Sequence, residues 1–161
     1  QNSLLAIAYI SIPLVLSVIL SGQNPLLILA IFIMLWANDT LAFVFGKWLG
    51  KNKLFERLSP KKTIEGFVGG LIGSIVAGVI LSIYHHEVNL VYWIVLSLVV
   101  SVAGTFGDLF ESMLKRNAGV KDSGNVIPGH GGVLDRLDSF LFAAPIVFFC
   151  TIIFEALGIL H

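Results

Sequence analysis

The chain has 161 residues, of which 57% are hydrophobic and 12% charged, and its mean hydropathy is +0.93. Soluble domains carry about 25% charged residues, so this composition excludes an ordinary soluble protein. Ten basic residues balance ten acidic ones, and a net charge of zero does not favour a nucleic-acid partner.

Five apolar segments reach or approach the roughly 20 residues that a helix needs to cross a bilayer. Each must be helical, because backbone amides in lipid have to be satisfied within the segment. The sequence therefore predicts an all-α, polytopic integral membrane protein with about five transmembrane helices. In chain order, the predicted spans are Ser3–Leu20, Pro25–Phe45, Ile64–Tyr84, Leu90–Phe106 and Ser139–Leu160.

The connections between the spans predict the orientation of the chain. The short turns SGQN and HHEVN each join two spans into a helical hairpin, and all ten lysines and arginines lie in two longer loops. Two spans separate these basic loops, so both lie on one side, which the positive-inside rule identifies as the cytoplasm. We therefore expect a multi-pass protein of the cell (inner) membrane with a polar site facing the cytoplasm. The basic residues are Lys47, Lys51, Lys53, Arg57, Lys61 and Lys62 in one loop, and Lys115, Arg116, Lys121 and Arg136 in the other.

Small residues recur four positions apart in the third span, a spacing that lets another helix approach closely. The pairs are Gly66 with Gly70, Gly69 with Gly73, and Ser74 with Gly78.

Asp39, in the segment LWANDTLAF, lies well inside the second span toward its cytoplasmic end. A charge at such a depth is expensive and usually faces a cavity or a partner. Two interpretations stay open: a hydrogen bond to a neighbouring helix, or a role at a polar site.

The loop segment SPKKTIEG predicts a helix N-terminus, with Ser59 as the N-cap and Pro60 as the first helical residue. Lys61 and Lys62 would then lie beside free backbone amides that attract phosphate. The alternative is that both lysines face anionic lipid head groups.

Two acidic pairs flank the second basic loop. If the fourth helix continues beyond the membrane surface, its polar residues form one stripe, and Asp135 and Asp138 begin the last span. Pairs at helix ends on one surface can converge on a divalent cation, and carboxylate ligands suit magnesium. Ordinary salt bridges at the helix ends are the alternative. The residues of the stripe are Asp108, Glu111, Ser112 and Lys115.

The segment PGHGG surrounds His130 with glycines, so the backbone can approach a ligand closely. His130 could orient a phosphate or transfer a proton, and a capping role is the alternative. Lys115, Arg116 and Lys121 add positive charge beside the acidic pairs. Carboxylates with a metal, together with cations, are typical of phosphoryl-type transfer, in which positioning and charge neutralisation dominate.

The run SMLKRNAGVKDSGNVIPGHGGVLDRLD, from Ser112 to Asp138, closely resembles the signature of phosphatidate cytidylyltransferases, also called CDP-diacylglycerol synthases. The upstream segments NDTLAFVFGKWLGK and SPKKTIEG resemble other recurrent segments of that family. Family members are usually longer, with additional amino-terminal membrane helices. The resemblance therefore implies one transmembrane catalytic domain over residues 1–161, the carboxy-terminal part of a longer chain, with its signature region at 108–138.

The resemblance implies the reaction of CTP with phosphatidate to give CDP-diacylglycerol and pyrophosphate, dependent on Mg²⁺, in phospholipid biosynthesis. The implied partners are CTP, phosphatidate and membrane lipids, whereas a second cation and a homo-oligomer stay open. Three rival interpretations remain: a CTP-dependent kinase of a polyprenol or similar lipid, an ion transporter, and a purely structural membrane subunit. The implied metal ligands are Asp108 and Asp135, supported by Asp138. The implied phosphate-binding residues are Lys115, Arg116, Lys121 and Arg136, assisted by Ser59, Lys61 and Lys62. Further implied site residues are Asp122 and His130 in catalysis, Ser112 in substrate binding, and Asp39 and Glu65 in the wall of the same cavity.

Overall fold

The computed structural model describes residues 2–56, 58–86, 88–117 and 134–158. Within these ranges the chain forms five helices and one two-stranded antiparallel sheet. The elements are α1 (Asn2–Gln23), α2 (Pro25–Trp48), β1 (Lys53–Phe55), β2 (Ser59–Thr63), α3 (Ile64–Tyr84), α4 (Leu90–Asn117) and α5 (Leu134–Ala156).

Four of the described helical stretches are long and apolar enough to cross a membrane: α2, α3, α4 and residues Leu137–Ala156 of α5. Helix α1 contributes a shorter apolar stretch, Ile7–Gln23. Many of the large apolar side chains on these helices are exposed on the outside of the bundle, as lipid-facing residues would be. The prediction of an all-α, polytopic integral membrane protein is confirmed, with a small β-hairpin added between α2 and α3.

The predicted span Ile64–Tyr84 coincides with α3, but the predicted helix N-terminus at Ser59 is wrong. Residues Ser59–Thr63 form strand β2, which pairs with β1 so that Phe55 faces Ser59 and Lys53 faces Thr63. The helix begins only after Thr63, whose side chain accepts a hydrogen bond from the Gly66 amide. Two lysines in a first helical turn oppose the positive end of the helix dipole, whereas the observed start places Glu65 there.

Helices α2 and α3 pack closely because α3 presents glycines to α2. A Cβ atom added at Gly70 would lie 2.7 Å from Asn38 Oδ1, and one at Gly73 would lie 2.7 Å from the Ala37 carbonyl oxygen. Neither position leaves space for any larger residue without separating the helices. The predicted packing role of the small residues in α3 is confirmed.

Helix α4 runs without interruption past the predicted end of its span at Phe106 and reaches Asn117. It packs against α5 along a face that contains Gly107, where an added Cβ would lie 2.9 Å from the Asp138 carbonyl oxygen. This close approach brings the polar end of α4 beside the first turns of α5. The candidate site lies at this end of the bundle, next to the β-hairpin.

Candidate active site

Three carboxylates converge where α4 passes α5. Asp108 and Glu111 lie one turn apart on α4, Asp138 lies on α5, and one oxygen atom from each lies within 4.8 Å of the others. Glu111 and Asp138 are buried, at 2% and 8% exposure, while Asp108 is half-buried. The spacing of three residues on one helix and the close packing at Gly107 together produce this cluster, called here the carboxylate cluster.

The sequence predicted that Asp108 and Asp138 would share a site, and the structure brings them together. Glu111 is the member that the assignment of metal ligands missed, although its spacing of three residues from Asp108 was the available signal. Asp135 and Arg136 lie in the first turn of α5, but their side chains are outside the described part of the chain. Lys121, Asp122 and His130 also fall outside the described residues.

Lys62 connects the β-hairpin to the carboxylate cluster. Its ammonium nitrogen lies 2.6 Å from Asp108 Oδ2 and donates a hydrogen bond of 3.3 Å to the Thr105 carbonyl oxygen. Both acceptors belong to α4, so the hairpin is held against the polar end of that helix. Lys61, the preceding residue on β2, is exposed and lines the same cavity as Lys62.

A second cation, Lys115, contacts a different member of the carboxylate cluster. Lys115 Nζ forms a 2.9 Å ion pair with Glu111 Oε2, one turn along α4. Ser112 is half-buried and Arg116 is exposed in the last turns of the same helix. The cluster is therefore flanked by one lysine from the hairpin and one from α4.

A cavity of about 390 Å³ opens between the hairpin and the ends of the helices. Its polar wall contains carboxylates and ammonium groups together, an arrangement that can hold a polyanion when a cation accompanies it. Asp39 lines this cavity with Lys62 and Asp108, as the sequence predicted for Asp39. The lining residues are Asn38, Asp39, Ala42, Phe43, Gly46, Lys47, Leu54, Lys61, Lys62, Thr63, Gly66, Phe67, Gly104, Thr105, Asp108 and Ser139.

Two predicted site residues, Glu65 in the cavity wall and Ser59 in phosphate binding, do not line this cavity. Glu65 turns toward Asn52, accepting hydrogen bonds from its backbone amide at 3.2 Å and from its side-chain Nδ2 at 2.9 Å. Ser59 is half-buried at the start of β2, away from the lining of the cavity. Glu65 therefore fixes the base of the hairpin instead of facing the cavity.

The donor set of the carboxylate cluster fits a divalent cation with hard-oxygen preference. Its members offer carboxylate oxygens, the ligands that magnesium prefers. Three carboxyl groups lie beside only two flanking ammonium groups, Lys62 and Lys115, so a divalent cation would supply the remaining positive charge. These residues would hold Mg²⁺ with positions left for phosphate oxygens or water.

Residues 2–154 of this chain match the family model described as "Cytidylyltransferase family". The phosphatidate cytidylyltransferase of Staphylococcus saprophyticus is 43% identical over 146 residues, and that of Staphylococcus aureus (strain COL) is 44% identical over the same length. These alignments cover 89% of this chain and 56% of each relative. The chain thus spans about half the length of the curated relatives it matches.

A solved structure described as an intramembrane enzyme for archaeal membrane lipid biosynthesis has a similar fold. The TM-score is 0.51 at 23% identity, and the match covers 74% of this chain and 76% of that one. At this level of identity, the likeness concerns the arrangement of the helices.

Proposed function

This chain belongs to the cytidylyltransferase family, and from that membership we propose that it carries the catalytic part of a phosphatidate cytidylyltransferase. In the proposed reaction, CTP and phosphatidate give CDP-diacylglycerol and pyrophosphate. The observation that supports it most is the convergence of Asp108, Glu111 and Asp138 beside Lys62. Carboxylates for a metal and lysines for phosphates meet at the end of a membrane-embedded bundle, where a lipid head group and a nucleotide can meet.

The chemistry requires positioning more than a reactive protein group. An oxygen of the phosphatidate phosphate forms a bond to the α-phosphorus of CTP, and the bond from that phosphorus to the bridging oxygen of pyrophosphate breaks. The lipid phosphate is itself the nucleophile, so no covalent intermediate on the protein is needed. Mg²⁺, when bound, neutralises charge on the triphosphate and on the leaving pyrophosphate.

The residues of the chain divide this work between them. Asp108, Glu111 and Asp138 would hold the cation, while Lys62 of the hairpin contacts Asp108 and Lys115 of α4 contacts Glu111. Ammonium groups fixed on two different elements can bind separate phosphate groups without moving. Lys61 and Asp39 line the cavity and are assigned to substrate binding.

Further residues of the signature complete the proposed site. Asp135 is assigned to the metal, and the basic residues to phosphates, as the resemblance implies. Ser112 is assigned to substrate, and a second cation beside Mg²⁺ is compatible with so many carboxylates. These remaining assignments are Arg116, Lys121 and Arg136 for phosphates, and Asp122 and His130 for catalysis.

The proposed location is the cell (inner) membrane, with the site facing the cytoplasm. The hairpin and the polar end of α4 lie together, as the contact between Lys62 and Asp108 requires. Both parts belong to the basic loops, which remain on the cytoplasmic side of membranes. Such a site has access to CTP in solution and to phosphatidate in the adjacent leaflet.

Labelled CTP tests the proposal against a CTP-dependent lipid kinase. The protein is reconstituted in vesicles that contain phosphatidate and a polyprenol, and CTP labelled at the α- or the γ-phosphate is supplied with and without Mg²⁺. We expect α-label in the lipid and γ-label in pyrophosphate, only with Mg²⁺. Label from the γ-position in the polyprenol would identify a kinase instead, and no label in any lipid would contradict both functions.

A further inference from the structure

A buried amide and a buried hydroxyl connect Asp39 to α4. Asn38 lies in the membrane-spanning helix α2 and is only 4% exposed. Its Oδ1 accepts a 2.6 Å hydrogen bond from the Ser101 hydroxyl of α4, and its Nδ2 donates to Asp39 Oδ1 at 3.2 Å. Ser101 is fully buried. The three side chains therefore form one continuous chain of hydrogen bonds from the core to the cavity.

The chemistry of the partners fixes the direction of the Asn38 amide. The amide nitrogen donates to the Asp39 carboxyl oxygen, and the amide oxygen accepts from the Ser101 hydroxyl, so each end of the amide has a partner of the matching kind. Gly70 of α3 lies over the same amide, and a Cβ there would lie 2.7 Å from Asn38 Oδ1. Hydrogen bonds on two sides and close packing on a third leave the amide one orientation.

We propose that Asn38, oriented by Ser101, is a positioning residue that fixes the carboxylate of Asp39 in the cavity. This inference rests on the proposed function, in which the cavity receives the nucleotide. Ser101 lies about two turns before Asp108 on the same helix. Helix α4 thus carries both Asp108 of the carboxylate cluster and the hydroxyl that orients Asp39, which links the position of Asp39 to that of the cluster.

Neighbouring buried serines show what a purely structural hydroxyl looks like in this bundle. Ser97 is fully buried one turn before Ser101, and its hydroxyl donates to the Ile94 carbonyl of its own helix. Ser74 donates to the Met34 carbonyl and joins α3 to α2. Neither hydroxyl bonds to a residue that lines the cavity, whereas that of Ser101 does. Ser97 is therefore the matched control for Ser101.

A kinetic double-mutant cycle tests the positioning role. Ser101→Ala should lower kcat/KM for CTP by roughly tenfold, as expected for a lost hydrogen bond in a chain that ends on a charge. Asn38→Ala should do the same, and Ser97→Ala should leave kcat/KM within about twofold of the wild type. In an Asp39→Asn background, Ser101→Ala should cause no further loss, because its effect passes through Asp39. The inference is overturned if Ser101→Ala lowers kcat/KM by the same factor in the Asp39→Asn background as in the wild type. It is also overturned if Ser101→Ala and Ser97→Ala lower kcat/KM equally.

An infrared spectrum gives a readout that does not depend on turnover. Spectra of the wild type and of Asp39→Asn, both labelled with ¹³C-aspartate, are compared, and the carboxylate band that the substitution removes is assigned to Asp39. Ser101→Ala should shift this band and Ser97→Ala should not, and an unchanged band in Ser101→Ala overturns the inference. If wild-type protein transfers no α-label to lipid, the proposed function fails while the infrared comparison still decides the role of Asn38.

Discussion

The ammonium nitrogen of Lys62 lies 2.6 Å from Asp108 Oδ2, joining the β-hairpin to the polar end of α4. The two side chains are 24% and 41% exposed, so solvent screens the pair and its contribution to folding is small. Its importance is therefore geometric. It places Lys62 of the first basic loop beside Asp108, and both side chains line the same cavity.

Removing the charge of Lys62 should weaken nucleotide binding more than it weakens folding. Lys62→Gln should raise KM for CTP by roughly tenfold, because a charge-assisted contact to phosphate is lost. Steady-state kinetics with labelled CTP measures this change, and thermal unfolding checks stability. Lys53→Gln, an exposed lysine on the partner strand, serves as the control. Equal KM values for CTP in the two variants would contradict the role of Lys62 in phosphate binding.

Neutralising Asp138 should abolish turnover without unfolding the chain. Asp138→Asn keeps the size of the side chain and an oxygen that can accept from the Ser139 amide, as Asp138 Oδ1 does at 2.6 Å. It removes one negative charge from the carboxylate cluster, and a fall in kcat/KM of at least about a hundredfold is expected. Glu155→Gln removes an exposed charge near the other end of α5 and should leave activity unchanged. If high Mg²⁺ restores the activity of Asp138→Asn, the carboxylate serves to bind the cation. If the variant is as active as the wild type at low Mg²⁺, the proposed role of Asp138 is contradicted.

Hydropathy predicted the spans because lipid imposes the same requirement on every crossing helix. The stripe of Asp108 and Glu111 could also be predicted once α4 was assumed to continue, since helical spacing alone places them together. Hydropathy placed the third span at Ile64, but the capping pattern predicted a helix start at Ser59, because good capping residues occur at both Ser59 and Thr63 and only the pairing of β2 with β1 decides between them. The third carboxylate, Asp138, was assigned to the same site from the resemblance, but its contact with α4 could not be predicted from local sequence. Its approach depends on Gly107 facing α5, a tertiary contact that no local pattern contains.

Glu65 should stabilise the hairpin that carries Lys62. Its carboxylate accepts from the backbone and the side chain of Asn52, beside a second contact in which the Ile64 amide donates to the Asn52 carbonyl. Glu65→Ala should make hydrogen exchange of the Asn52 and Ile64 amides roughly tenfold faster, because the hairpin opens more often. Glu56→Ala, an exposed glutamate after β1, is the control. Unchanged exchange in Glu65→Ala would mean that strand pairing alone holds the hairpin.

Substitution of Gly107 should separate the carboxylate cluster. In Gly107→Ala, the new Cβ would lie 2.7 Å from Phe142 Cβ and 2.9 Å from the Asp138 carbonyl oxygen, so α4 and α5 must move apart. We expect a loss of about 1–3 kcal/mol in stability and a marked fall in turnover. Gly22→Ala, whose Cβ meets nothing within 4 Å, should change neither quantity appreciably. Full activity in Gly107→Ala would show that the two helices can separate without disturbing the site.

The orientation of the bundle can be tested with single cysteines, because the chain contains one natural cysteine, Cys150. In a Cys150→Ser background, Lys53→Cys reports on the hairpin and His86→Cys reports on the turn between α3 and α4, and both positions are exposed. Helix α3 separates them and is long enough to span the membrane, so the two must lie on opposite sides. The positive-inside rule places the hairpin in the cytoplasm.

A membrane-impermeant maleimide should therefore label His86→Cys in intact cells from which any outer membrane has been stripped, and Lys53→Cys only in inverted vesicles. The reverse pattern would place the carboxylate cluster on the outer face, where it could not meet cytoplasmic CTP, and would contradict the proposed function together with the orientation.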